Sequence, residues 1–150
     1  MSDLQDLYQE LILDHNKRPQ NRRAIDAANH KAEGYNPLCG DHVTVYLSVK
    51  DDVIVDASFE GSGCAISTAS ASLMTGAVTG KTLAEAKELF KKFHGLVTGR
   101  QDGVGDTDAL GKLAVFSGVC QYPARVKCAT LVWHTVNAAW ENTEGVVSTE

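Results

Sequence analysis

The sequence predicts an α+β fold in which a small antiparallel β-sheet of about three strands packs against several α-helices. Two observations predict it. Between Val43 and Glu60 apolar and polar residues alternate with period two on both sides of a short polar turn, and apolar stripes at helical spacing occupy the beginning, middle and end of the chain. At 150 residues and 43% hydrophobic content the chain reads as a single domain, 1–150, able to bury its own core. It needs no metal as a staple, so a metal site here would serve chemistry.

Ser2 can cap the first helix with Gln5 three residues later, and Leu4, Leu7, Tyr8 and Leu11 follow the spacing of a buried stripe. That helix is expected to run to about His15; Lys17 and Arg18 suit its C-terminal end, and Pro19 stops it. A strand before Pro37 is weakly signalled. Val43, Val45, Leu47 and Val49 alternate with Thr44, Tyr46 and Ser48, and after Lys50-Asp51-Asp52 the set Val53, Val55, Ala57 and Phe59 alternates with Ile54, Asp56, Ser58 and Glu60. This predicts an antiparallel hairpin with one face buried.

Residues 65–78, rich in Ala, Ser and Thr after Gly61-Ser62-Gly63, predict a closely packed helix ending near Gly76 or Gly80. Thr82 and Glu85 form a capping box for the next helix, whose buried face is Leu83, Ala86, Leu89, Phe90 and Phe93 and which Gly95 is expected to end. The glycines from Gly95 to Gly105 mark a mobile connection to a short helix around 110–116. Pro123 suits the first turn of the last helix, where the stripe Leu131, Val132, Thr135, Val136 and Ala139 places Cys128 on the core-facing side. Trp133 and Trp140 read as core residues, and 141–150 as a flexible tail.

Lys and Arg number 14 against 19 Asp and Glu, a net charge of −5, and no basic stretch extends beyond Lys17, Arg18, Arg22 and Arg23. Nucleic acid is thereby a poor partner; the basic cluster reads as a solvated helix end, with a docking surface for an acidic protein as the alternative. The first residues lack the regions of a signal peptide, and no apolar run is long enough for a membrane span, so a cytoplasmic protein is expected. In a reducing compartment four cysteines point to metal or redox work rather than disulfides.

Cys39 and Asp41 in Asn-Pro-Leu-Cys-Gly-Asp, Cys64 in Gly-Ser-Gly-Cys, and Cys128 in Pro-Ala-Arg-Val-Lys-Cys have the residue types of a metal site. Thiolates suit zinc or an iron-sulfur cluster, whereas a carboxylate is rare in purely structural zinc sites. If the backbone is extended at 39–41, both side chains point the same way. Cys64 at a helix start sits where unpaired N–H groups and the helix dipole favour a thiolate. Arg125, one helical turn before Cys128, could offset the negative charge of such a centre or meet an incoming sulfur anion.

Together with Leu-Tyr-Gln-Glu-Leu-Ile-Leu-Asp-His-Asn-Lys-Arg-Pro-Gln-Asn and Cys-Ala-Thr-Leu-Val-Trp, these motifs resemble the IscU and NifU-like family of iron-sulfur cluster assembly proteins over nearly the whole chain, and within it the zinc-containing SufU branch. The resemblance implies a SufE/IscU-like fold and metal ligation by Cys39, Asp41, Cys64 and Cys128, with Cys39 as sulfur acceptor, and it strengthens the functional reading of Arg125 made from its place beside Cys128. It implies Zn2+ as cofactor, with an iron-sulfur cluster as the alternative. The implied partner is a SufS-like, pyridoxal-phosphate-dependent cysteine desulfurase, with a cluster scaffold as a downstream receiver. Scaffolds of the IscU branch carry His before the last Cys and a Leu-Pro-Pro-Val-Lys string; this chain has Lys127 there, lacks the string, and has a Gly-rich insertion from Gly95 to Asp106, which favours sulfur relay.

Plainer roles exist for each residue. Cys120 lies outside the ligand pattern and reads as a small buried hydrophobe. Arg125 could be a surface residue and Asp41 a turn residue. His15, His30, His42, His94 and His134 show no paired metal spacing, though His42 adjoins Asp41 and could support it.

Overall fold

A computed structural model describes residues 3–19, 21–25, 28–37, 40–98, 113, 116, 123–141 and 146–148. In chain order these form α1 (Asp3–Lys17), β1 (His30–Asn36), β2 (Asp41–Lys50), β3 (Val53–Ser62), α2 (Ala65–Val78), α3 (Leu83–Thr98), α4 (Pro123–Trp140) and β4 (Val146–Ser148). The α+β expectation holds: β3, β2 and β1 form an antiparallel sheet, α2 and α4 pack against it, and α1 and α3 pack on α2 and α4 respectively. The sheet order is β3-β2-β1-β4, with the short β4 parallel to β1.

Three residues of the supposed tail are therefore strand. Val146, Val147 and Ser148 align with Glu33, Gly34 and Tyr35. The physical reason is that β1 would otherwise present unpaired backbone N–H and C=O groups at a sheet edge, which a β-branched pair is suited to cover. The capping residue Ser2, the connection at 99–112, Cys39 and Cys120 lie outside the described residues.

The hairpin forms at the expected place. Asp51 and Asp52 both have positive φ, 54° and 64°, as a two-residue turn that matches the strand twist requires. Val45 pairs with Phe59 and Leu47 with Ala57, all four buried. Beyond them the register slips: Ser48 pairs with Asp56 but Val49 with Ile54, leaving Val55 as the extra residue of a β-bulge. The bulge exchanges the faces, so that Ile54 is fully buried and Val55 is 52% exposed, opposite to what uninterrupted alternation predicts.

On the inner face α4 lies against β1 and β2, while α2 packs on β3, α4 and α1. Small side chains make this closeness possible: Ala69, Ser70, Ala71 and Ser72 of α2 are all buried. Ser70 Oγ donates to the Ala129 carbonyl at 2.6 Å, and His15 Nδ1 lies 2.7 Å from Ser72 Oγ, tying α2 to α4 and α1. The Thr82–Glu85 capping box closes in both directions, at 3.0 and 3.1 Å. The helix it starts does not stop at Gly95 but continues to Thr98, because Val97 is fully buried and packing outweighs the helical cost of one glycine. Trp133 stacks on Phe93 with centroids 4.8 Å apart, so it is core, as is Trp140. No helix among the described residues is long and apolar enough to cross a membrane.

His134 of α4 meets the edge of Phe90, with His94 at 5.8 Å. Burial, and then the neighbouring His94, lower its pKa from 6.5. The unfolded chain thus takes up this proton more readily, so the fold should keep its full stability above about pH 6.5 and lose some as pH falls below it. His134→Gln is expected to flatten that acid limb in thermal melts from pH 7.5 to 5; an unchanged pH dependence would exclude His134 as its source.

Candidate metal centre

Four elements bring the site together. Asp41 opens β2 with its side chain fully buried, directly across from Asn36, the last residue of β1. Gly40, at φ 73°, takes the chain through the left-handed region and donates its N–H to the Asn36 carbonyl at 2.8 Å. The extended-backbone argument linking Cys39 to Asp41 therefore does not apply, since Gly40 is turned rather than extended. Cys64 is the N-cap of α2, with φ −70° and ψ 170°, and its Sγ accepts the Ser67 N–H at 3.4 Å. Cys128 lies fully buried in the second turn of α4.

One oxygen and two sulfurs converge. Ligand atoms of Asp41, Cys64 and Cys128 all lie within 4.8 Å of one another. Asp41 Oδ1 accepts the Cys64 N–H at 2.8 Å, and Oδ2 lies 3.9 Å from Cys64 Sγ. Neither cysteine is in a disulfide, and Cys64, partly exposed, is the open side of an otherwise buried cluster. A tetrahedral zinc ion, with Zn–S about 2.3 Å and Zn–O about 2.0–2.2 Å, holds such donors about 3.5–3.8 Å apart. The donor set suits that ion in chemistry, and its atoms, within 4.8 Å of one another, stand near enough to draw in around it.

The Cys64 thiol is drawn down from an ordinary 9.0 to about 6. The hydrogen bond with Cys128 contributes most; burial opposes it, the Ser67 N–H assists, the Asp41 charge opposes and the Ile66 N–H assists. The shift favours the Cys64 thiolate, the form that binds metal. Gly63 secures this approach, because a Cβ there would stand 2.7 Å from Asp41 Oδ1. Gly63→Ala is expected to displace the carboxylate and weaken zinc about tenfold with the fold retained. Competition with a chromophoric chelator checks this, and unchanged affinity would mean that the carboxylate position is not critical.

These features decide the family when set beside known proteins. Residues 7–129 match the NifU-like N terminal domain. The chain belongs to that family. Among NifU-like relatives it is 37% identical over 144 residues to the zinc-dependent sulfurtransferase SufU of Bacillus subtilis, covering 96% of each chain. It is 40% identical over 133 residues to the iron-sulfur cluster assembly scaffold protein IscU of Thermotoga maritima, covering 89% of this chain and 92% of that one. A crystal structure from Fervidobacterium islandicum AW-1, named as a candidate iron-sulfur cluster assembly scaffold for the SUF system, superposes with TM-score 0.81 at 40% identity, over 87% of this chain and 93% of that one.

Of the residues singled out in the sequence of this NifU-like chain, Asp41, Cys64 and Cys128 meet. Arg125 is exposed one turn before Cys128. His42 is exposed although Asp41 beside it is buried, and it lines a shallow crevice with Ser62, Ser67 and Thr68. Sequence reasoning missed Asn36, fully buried, whose Nδ2 donates to Asp41 Oδ2 at 3.4 Å and to Cys128 Sγ at 3.8 Å. Its only signal was its place three residues before Cys39.

Proposed function

We propose that the chain is a zinc-dependent sulfurtransferase that takes persulfide sulfur from a SufS-like, pyridoxal-phosphate-dependent cysteine desulfurase and passes it into iron-sulfur cluster assembly. The observation that carries this reading is a fully buried carboxylate within 4.8 Å of two cysteine sulfurs, one of them partly exposed. One hard oxygen among soft sulfurs suits a centre with an exchangeable ligand better than a structural zinc site. The 37% identity to a zinc-dependent sulfurtransferase supports the same reading.

In this proposal Asp41, Cys64 and Cys128 are ligands, and Cys39 is the fourth ligand and the nucleophile. Zinc, when bound, would keep coordinated thiolates deprotonated at neutral pH. The Cys39 thiolate attacks the outer sulfur of the partner's cysteine persulfide; that S–S bond breaks, a new one forms on Cys39, and the partner cysteine leaves as its thiolate. Arg125, exposed at the start of α4, would hydrogen-bond the anionic persulfide as it arrives. The receiver downstream would be a cluster scaffold.

The scaffold relatives favour a second reading, assembly of an iron-sulfur cluster on the same residues. Elemental analysis of freshly purified protein, paired with a desulfurase assay with and without it, separates the two. Bound zinc and a faster desulfurase support sulfur transfer. Iron uptake on anaerobic reconstitution, giving a brown protein that passes its cluster to an acceptor without accelerating the desulfurase, supports scaffolding, and zinc with neither behaviour refutes both.

A further inference from the structure

We infer that Asn36 is a positioning residue that fixes two ligands of the centre, Asp41 and Cys128, before metal arrives. The inference rests on the metal-site reading above and assigns a role to a residue outside the ligand set. Asn36 ends β1, Asp41 begins β2 and Cys128 belongs to α4, so one carboxamide links three separate elements. Its side chain is fully buried, and its Nδ2 reaches Asp41 Oδ2 at 3.4 Å and Cys128 Sγ at 3.8 Å. An amide nitrogen carries two hydrogens, so both contacts can be made at once.

Burying a carboxamide is costly unless its polar atoms are paired, and here two of its partners are themselves metal-binding groups. Asp41 is thereby held at both oxygens, Oδ2 by Asn36 and Oδ1 by the Cys64 N–H. The donation to sulfur has a second consequence. An N–H directed at a thiolate withdraws electron density, which makes Cys128 a steadier ligand and a poorer nucleophile. Asn36 in this way assigns Cys128 to holding the ion rather than to accepting sulfur.

The test compares zinc affinity, by chelator competition, and the absorption of the cobalt-substituted protein in wild type and Asn36→Ala. The variant is expected to bind zinc about 10–100-fold more weakly. Its sulfur-to-cobalt charge-transfer band is expected to shift to lower energy, because Cys128 loses its hydrogen-bond donor. Far-UV circular dichroism of the metal-free protein should be unchanged, and a purely structural role would leave the band in place. Asn36→Leu, an apolar residue of similar length, carries the same test if the alanine variant does not fold. Unchanged affinity and an unmoved band would overturn the inference. A wild-type protein that takes up neither zinc nor cobalt would instead refute the metal-site reading on which it rests.

Discussion

Cys39→Ala is expected to reduce persulfide transfer from a cysteine desulfurase by more than about a thousandfold, the scale on which removal of a nucleophile is felt. The fold should survive, because the core is built from residues such as Leu47, Phe93, Leu131 and Trp133, all fully buried and independent of the site. Zinc should weaken yet still bind, since Asp41, Cys64 and Cys128 are positioned by hydrogen bonds of their own. Mass spectrometry after incubation with desulfurase and cysteine would count the transferred sulfur, with elemental analysis on the same sample. The competing acceptor is Cys64, partly exposed and drawn toward its thiolate. Transfer that persists in Cys39→Ala and disappears in Cys64→Ser would move the acceptor role to Cys64 and sink the assignment of Cys39.

The cluster of Asp41, Cys64 and Cys128 was legible in the sequence because its chemistry is unusual in kind: cysteines and a carboxylate in turn-rich motifs are residue types suited to holding a metal. Helix-period stripes and the capping box placed α3 and α4 for a similar reason, since each is a local pattern with a local cause. What stayed hidden depends on neighbours distant in sequence. The bulge at Val55 is settled by pairing with β2, and no alternation within residues 53–60 foretells it. β1 was faint because Ala32 and Asn36, two of the residues it buries, are respectively small and polar. Gly95 looked like a helix end until the burial of Val97 gave the helix reason to continue. Asn36 is the sharpest case: before a proline it reads as a turn residue, and only the approach of α4 turns it toward a sulfur.

Asp41→Ala should act in two opposite senses, and together they test whether this carboxylate is a ligand. Zinc affinity is expected to fall by at least about 100-fold, since loss of a ligand should exceed the 10–100-fold cost of losing a residue that merely supports one. The metal-free protein should respond the other way. The Asp41 charge raises the pKa of Cys64, which stands at about 6 with that charge in place. Its removal favours the thiolate, so the pH midpoint for alkylation of Cys64 should drop below that of the wild type. Iodoacetamide labelling against pH, read by mass spectrometry at Cys64, measures this shift independently of any metal. Weaker zinc with a lowered midpoint is the signature of a carboxylate that tempers its neighbouring thiol and shares an ion with it. Unchanged zinc affinity, whatever the midpoint does, would remove Asp41 from the ligand set and with it the argument that one oxygen among sulfurs makes the centre exchangeable.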